Sequence, residues 1–405
     1  MKPAFTPLER CLACGSDALV ELLDLGAQPL ANEYHDNTKV LPEYPLKLNL
    51  CTKCFHAQQA VAVDPDLMFK NYLYVSGTSA TLREYFDWFA KMVTERWGEG
   101  FGEQRSVLDI ACNDGSQLAA FKKYGWEIWG VDPAENLLER SRATGATVVC
   151  DYWNVESAAR MGRTFDVLIA QNVFAHVSDP LGFLSACAQV MHSGSKLLIQ
   201  TSQADMFDAG QFDTVYHEHI SFFSANSLRA LARRADFVLE DIFITPVHGG
   251  SYVFVLSRVG DEQAAQARLE KEEKAGRTDL ALYRQFADTA RKAVAELKKT
   301  VDAYRAKGVP VIGFGAAAKG NTLLNFGRIT LDYIVDDNPL KHDLYTPGMN
   351  IPIYAPARLS QEPDDVVVVP LAWNFFNEIY RNVKKARPDK NDVFVTYFPS
   401  VNERR

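Results

Sequence analysis

Three features of the sequence predict an α/β chain of more than one domain, with a cysteine-rich lobe ahead of two doubly wound sheets. Its 405 residues exceed what one ordinary hydrophobic core holds. From about residue 80, apolar runs alternate with helical stretches, the pattern of βαβ units on a parallel sheet. Four of the seven cysteines fall into two C-x-x-C pairs near the N-terminus.

Taken in order, residues 1–75 are rich in cysteine, proline and turn residues, with short apolar runs such as LVELLDLG and LKLNL. Residues 76–259 carry strand-like runs at SVLDIA, EIWGVD, TVVC, DVLIAQNV and KLLIQTS, then a closing pair around FVLEDIFITP and SYVFVLS. Residues 260–405 open with a long helical periodicity to about 308, without proline, read as a solvated connecting face. A second α/β set follows at VPVIGFG, LDYIVDD, DVVVVPL and DVFVTYF.

Composition removes several function classes. Hydrophobic content of 47% and charged content of 23% are those of a soluble globular protein. No run approaches the ~18 apolar residues of a membrane helix, and MKPAFTPLERCLAC shows no apolar signal region, so a cytoplasmic location is expected. A net charge of −8 without a dense Lys/Arg block argues against nucleic acid as the main partner. Three domains in one chain are compatible with a monomer.

Cys11, Cys14, Cys51 and Cys54 offer four thiolates with 36 residues between the pairs. Two such knuckles match a closed tetrahedral zinc site with an insertion looping out between them. A site with no open position is structural, so this zinc is expected to hold the lobe together. Cys112, Cys150 and Cys187 read as ordinary, partly buried thiols. After the lobe, NYLYVSGTS sets Tyr72, Tyr74 and Ser76 on alternate positions, one face if the segment is extended.

SVLDIACNDGSQL reads as a strand ending in Asp109, a small-residue turn and a helix start, and EIWGVDPAENL as a second strand ending in Asp132. This is nucleotide binding at the carboxyl edge of a doubly wound sheet, with the second acid placed for ribose hydroxyls. A dinucleotide would want G-x-G-x-x-G, whereas Ala111, Asn113, Asp114 and Gly115 line this turn, with a single glycine and no room for a pyrophosphate. S-adenosylmethionine (SAM) has no phosphates, so a class I methyltransferase domain is expected. Asp151 stands where an adenine-contacting acid sits, and Asn172 and His176 lie just past the fourth strand.

In FDTVYHEHISFFS, Tyr216, His217, Glu218 and His219 are adjacent. They could be a metal site, an acid–base constellation or a satisfied structural pair, though H-E-H lacks the H-E-x-x-H spacing of a helical metal motif. In an extended segment His217 and His219 share one face and Glu218 takes the other. Gly313-x-Gly315-x-x-Ala318 with Asp336 is a Rossmann-type fingerprint that alone suggests NAD. Lys319, Gly320, Asn321 and Thr322 at the following helix start could equally hold the diphosphate of a nucleotide-sugar.

Together the paired C-x-x-C lobe, the N-D-G turn, YHEHISFFS, HGGSYVF, GFGAAAKGNTLLNF and VDDNPLKHDLYTPGMNIPI resemble the sugar C-methyltransferases. These are SAM-dependent enzymes that methylate C-3 of nucleotide-linked 4-keto-6-deoxysugars, and the resemblance covers essentially the whole chain. It implies three domains: a zinc-binding lobe, a class I SAM methyltransferase (Rossmann-like) domain and a C-terminal Rossmann-like α/β domain. It implies His219 as the base, with Tyr216 and Glu218 in support. His176 and one of Tyr72 or Tyr74 would bind or polarise the sugar, and His217, His248, Lys319 and Asn321 are further substrate-binding candidates. A dTDP-linked sugar is the expected acceptor; a GDP-linked sugar, another activated ketone, or an NAD-dependent oxidoreductase of nucleotide sugars are the alternatives. Two positions depart from the family: Ala111 stands where glycine is usual, and is expected to fit at negative φ, and Val75 replaces a common histidine.

Overall fold

The computed structural model describes residues 3–36, 40–69, 75–78, 80–202, 205–245, 247 and 250–405. In the N-terminal lobe, LVELLDLGAQ and YPLKLNLC alternate their side chains between two faces and pair antiparallel, Leu19 opposite Cys51. They form β2 (Leu19–Gln28) and β3 (Tyr44–Cys51), after the short β1 (Phe5–Pro7). β4 (Ala57–Gln59) continues this sheet beside β3, and β5 (Val61–Val63) turns away to pair with β1.

The next eight strands are β6 (Ser106–Ile110), β7 (Glu127–Val131), β8 (Thr147–Val149), β9 (Phe165–Gln171), β10 (Met191–Thr201), β11 (Ser221–Phe222), β12 (Val238–Thr245) and β13 (Ser251–Ser257). Seven of them make one sheet in the order β12-β13-β10-β9-β6-β7-β8. β13 runs antiparallel to both neighbours, while β10, β9, β6, β7 and β8 are mutually parallel. The chain leaves β6 toward β7 on one side and returns to β9 on the other. That reversal opens a crevice at the carboxyl ends of β6, β7 and β9, where open α/β sheets bind ligands. β11 leaves this sheet and pairs with β4 of the lobe.

The third sheet has the order β16-β15-β14-β17-β18-β19, from β14 (Val311–Phe314), β15 (Tyr333–Val335), β16 (Ile353–Tyr354), β17 (Val367–Pro370), β18 (Val393–Thr396) and β19 (Asn402–Arg404). Its strands are parallel except for β19 at the edge. The central β14 and β17 are buried along their length, which explains their continuous apolar runs.

The helix Leu280–Ala306 corrects one expectation. It is solvated on one side only; Tyr283, Phe286, Ala287, Ala290, Val294, Leu297 and Val301 recur at helical spacing and are buried. They share a core with Leu23, Leu46 and Leu48 of the lobe and Leu323 and Ile334 of the last domain. The knuckle cysteines sit in a different core, with Phe223, Leu228 and Phe254 of the middle domain. The lobe is therefore wedged between the two α/β domains. Among the described residues, no helix is long and apolar enough to cross a membrane.

Candidate active site and metal centre

The Sγ atoms of Cys11, Cys14, Cys51 and Cys54 lie within 4.8 Å of one another, the one cluster among the described residues able to hold a metal ion. Cys11 and Cys54 are 3.5 Å apart, as are Cys14 and Cys51. Four sulfurs about 2.3 Å from a zinc ion stand about 3.8 Å from each other, so the set fits Zn²⁺ with no position left for substrate. The thiols cannot all ionise without a cation. A hydrogen bond from Cys54 lowers Cys11 to about 5, and the same contact, with burial, pushes Cys54 far up.

The turn after β6 departs from expectation at Ala111, whose φ is +65° rather than negative. The chain reverses at once so that the Ala111 N–H can bond the Val131 carbonyl at 2.8 Å. The left-handed region costs an L-residue about 1 kcal/mol or more and glycine almost nothing. Asn113 is also left-handed, and Gly115, at φ +78°, opens the helix Ser116–Lys123. A Cβ on Gly115 would lie 2.9 Å from the Ser141 Cα, so no side chain fits.

The two oxygens of Asp132 accept the N–H groups of Asn113 and Ala134, both at 2.8 Å. Each keeps a second lone pair for a ribose hydroxyl. Asp109 is buried at the end of β6, and burial, with Asp132 and Asp114 nearby, pushes its carboxyl well above the usual range. Three acids around one turn suit a cationic ligand, and SAM carries a sulfonium and an ammonium. Asn113 Oδ1 and Asp114 Oδ2 accept the N–H groups of Ser76 and Gly77, each at 3.0 Å, which ties down the segment that follows the lobe. Asn172 follows β9 at φ +55° with its buried Oδ1 unpartnered. Asp151 is drawn outward into an ion pair with Arg160.

The YHEH segment is a turn, not a strand: His219 N–H donates to the Tyr216 carbonyl at 2.8 Å. His217 and His219 therefore part company. His217 Nε2 lies 3.2 Å from the Tyr44 carbonyl, its ring edge-on to Tyr44. His219 Nδ1 lies 2.8 Å from the Thr214 carbonyl and Nε2 3.0 Å from the Tyr216 hydroxyl. A carbonyl only accepts, so Nδ1 carries the proton and Nε2 the lone pair, to which Tyr216 donates. The His176 ring centroid is 5.0 Å from that of His219. Burial lowers His176 to about 4, which leaves it neutral at pH 7, and its Nδ1 has no partner. Glu218 accepts the Asn32 amide at 2.6 Å, and burial raises its carboxyl to about 7.

In the last domain, Gly315 takes φ +90° in the expected turn. The turn is covered. Ala316 N–H donates to Asp336 at 2.6 Å, and the Ala316 carbonyl accepts both the Tyr34 hydroxyl, at 2.5 Å, and Lys341, at 2.7 Å. Asn321 Nδ2 reaches the Ala31 carbonyl at 2.7 Å, so this residue anchors the arm around residues 30–36 rather than facing open space. Lys319 Nζ stands 5.0 Å over the Trp373 ring, and Trp373 donates to the buried Asp213 at 2.8 Å. Burial raises Asp213 to about 6.

The structure thus gathers His176, Tyr216, Glu218 and His219 at one place, with Asp109, Ala111, Asn113, Asp114, Gly115, Asp132 and Asn172 along the carboxyl edge of the middle sheet. It turns His217 away from them, while Asp151 lies beside Asp132, its N–H on the Asp132 carbonyl at 3.2 Å and its carboxylate paired with Arg160. Tyr72, Tyr74 and His248 lie outside the described residues. Asn32, Gln59 and Thr214, which bond the Tyr216–His219 turn, and the neighbouring Asp213 were not singled out by sequence reasoning. Asn32 and Thr214 give no local signal, whereas the adjacent glutamines in the apolar run AQQAVAV do.

This site and fold define a SAM-dependent class I methyltransferase with a structural zinc centre. Three family descriptions match along the chain: "Putative zinc binding domain" over residues 11–69, "Methyltransferase domain" over 80–242 and "C-methyltransferase C-terminal domain" over 246–399. Over 399 residues the chain is 27% identical to the C-methyltransferase NovU of Streptomyces niveus, covering 95% of this chain and 94% of that one. A ubiquinone biosynthesis O-methyltransferase of Ruegeria sp. (strain TM1040) is 32% identical over 99 residues, 24% of this chain and 40% of the relative. Among solved structures, the magnesium protoporphyrin IX methyltransferase of Synechocystis PCC 6803 with bound SAM aligns at a TM-score of 0.34 and 14% identity, over 44% of this chain and 79% of that one. Along nearly its whole length the chain is thus similar to a C-methyltransferase, and with these three matches it is a SAM-dependent C-methyltransferase.

Proposed function

We propose that the acceptor is a nucleotide-linked 4-keto-6-deoxysugar, dTDP-linked by preference, and that the methyl is added at C-3 through an enolate. When bound, SAM supplies an electrophilic methyl. Carbon becomes its nucleophile only after a proton leaves C-3, with the electron pair passing into the ketone at C-4. The observation that carries the reading is the His219 pair: Nδ1 is held on the Thr214 carbonyl, so Nε2 presents a lone pair beside the Tyr216 hydroxyl. A neutral imidazole with a fixed tautomer is a suitable base near neutral pH. His219 takes the C-3 proton on Nε2. When the sugar enters, the Tyr216 hydroxyl, which holds Nε2 in the free chain, turns its proton to the C-4 oxygen and frees that lone pair; Glu218, a buried carboxyl that holds its proton to about pH 7, is the second donor to the oxyanion. His176, neutral beside them, orients the sugar. Asp109, Asp132 and Asn172 hold the cofactor.

Lys319 at the start of the helix Ala318–Gly327 supports a diphosphate-binding role for the last domain. The NAD alternative is disfavoured by the arm around residues 30–36, which covers the Gly315 turn through Tyr34 on the Ala316 carbonyl and Asn321 on the Ala31 carbonyl. The test is a panel of dTDP- and GDP-linked 4-keto-6-deoxysugars with SAM, read by mass. A gain of one methyl with a panel member is expected; no turnover of any member refutes the sugar reading.

A further inference from the structure

The geometry points to Gln59, a residue of the zinc lobe, as the positioning residue for the catalytic turn, which makes β4 the mechanical link between the zinc knuckles and the base. This rests on the reading of His219 as that base. Gln59 is fully buried. Its Nε2 lies 2.6 Å from the Tyr216 carbonyl and 2.9 Å from the His219 carbonyl. Carbonyls only accept, so the amide's NH₂ must face them, and its two protons close the turn from both ends. The backbone adds to this: Gln59 N–H donates to the Ile220 carbonyl at 2.8 Å, and Gln58 pairs with Ser221. The side chains that define Nε2 of His219 and the hydroxyl of Tyr216 are carried by the two residues whose carbonyls Gln59 holds.

The period of two in a strand sends the neighbouring side chain the other way. Gln58 Oε1 accepts the Leu12 N–H at 2.8 Å, and its Nε2 donates to the Arg10 carbonyl at 3.0 Å. The first cysteine knuckle is thereby braced on β4, while the second knuckle, Cys51 to Cys54, leads directly into it, with Cys51 N–H on the His56 carbonyl at 2.9 Å. One strand thus holds the metal centre with one glutamine and the catalytic turn with the next. A lobe whose metal has no open position for chemistry acquires a role in catalysis through this strand, without touching the substrate.

The test uses the zinc-loaded full chain with a 4-keto-6-deoxysugar nucleotide that it turns over. Base function is read by exchange of the C-3 hydrogen into D₂O, in the presence of S-adenosylhomocysteine, and zinc by release to a chromogenic chelator. Displacement of a base by about 1 Å can cost on the order of 100-fold in rate. Gln59→Leu is expected to lower kcat and the exchange rate together by about that factor, with KM and the zinc content of one per chain retained. Gln59→Glu regains a donor only when protonated, so its exchange rate relative to Gln59→Leu is expected to rise as pH falls. Gln58→Leu is expected to speed zinc release. Wild-type exchange in Gln59→Leu, or loss of zinc from that variant, overturns the proposal. His219→Gln separates the two readings: if it still exchanges the C-3 hydrogen, the base assignment fails, and if it alone is inactive, only the role of Gln59 fails.

Discussion

Glu218→Gln gives a prediction that stability and pH together can check. The folded chain raises this carboxyl from its ordinary 4.5 to about 7, because it is buried and the Asn32 amide compensates only in part. Between those values the folded state holds a proton that the unfolded state has released, so stability falls as pH rises through the window. The loss approaches about 3 kcal/mol above pH 7 for this group, at ~1.4 kcal/mol per unit. Glutamine imitates the protonated acid, keeps an acceptor for Asn32 and cannot ionise. The variant is therefore expected to match wild type near pH 4.5 and to exceed it at pH 8, by on the order of 5 °C in the melting midpoint. Scanning calorimetry at half-unit steps from pH 4.5 to 8 measures the difference curve, in which other titrating groups such as Asp213 cancel. Parallel curves for the two proteins across that range would refute the assignment of a buried, proton-retaining Glu218.

Ala111→Gly relieves a left-handed alanine and is expected to stabilise the chain by about 0.5–1 kcal/mol in denaturant titration, with SAM binding retained. Gly115→Ala has no room beside Ser141 and is expected to abolish SAM binding by calorimetry while the lobe keeps its zinc. Asp109 holds a proton above the usual carboxylate range, so binding of the cationic cofactor is expected to release it. SAM affinity should then rise with pH, the binding enthalpy should vary with buffer ionisation heat, and Asp109→Asn should lose both dependences. Chelation of zinc is expected to cost several kcal/mol, seen as a lower first melting transition, because the cysteines share a core with Phe223 and Leu228.

Much of the fold was legible because its signals are local. The expected strands of both α/β domains appear, since continuous apolar runs bounded by turn residues mark buried strands wherever they occur. The knuckles were legible for the same reason: two C-x-x-C pairs leave little else for four thiols to do in a metal-binding lobe. What escaped was set by contacts distant in sequence. Nothing near Asn32 announces Glu218, and nothing near Gln59 announces Tyr216 and His219. The parting of His217 from His219 follows from a turn imposed by the lobe, which an alternation argument could not foresee. Ala111 escaped because a small residue is tolerated at either sign of φ, at modest cost. The helix Leu280–Ala306 looked solvated because charged residues recur along it, while its buried stripe has partners in two other domains.

The most direct measurement follows a 4-keto-6-deoxysugar nucleotide by proton NMR, with SAM and the wild-type chain, and then with His219→Gln. The account predicts that the C-3 hydrogen signal disappears as a methyl singlet on C-3 grows in, and that the variant shows neither change although it binds SAM and zinc normally. A methyl appearing on oxygen, or methylation at C-3 at a near-normal rate by His219→Gln, would contradict it.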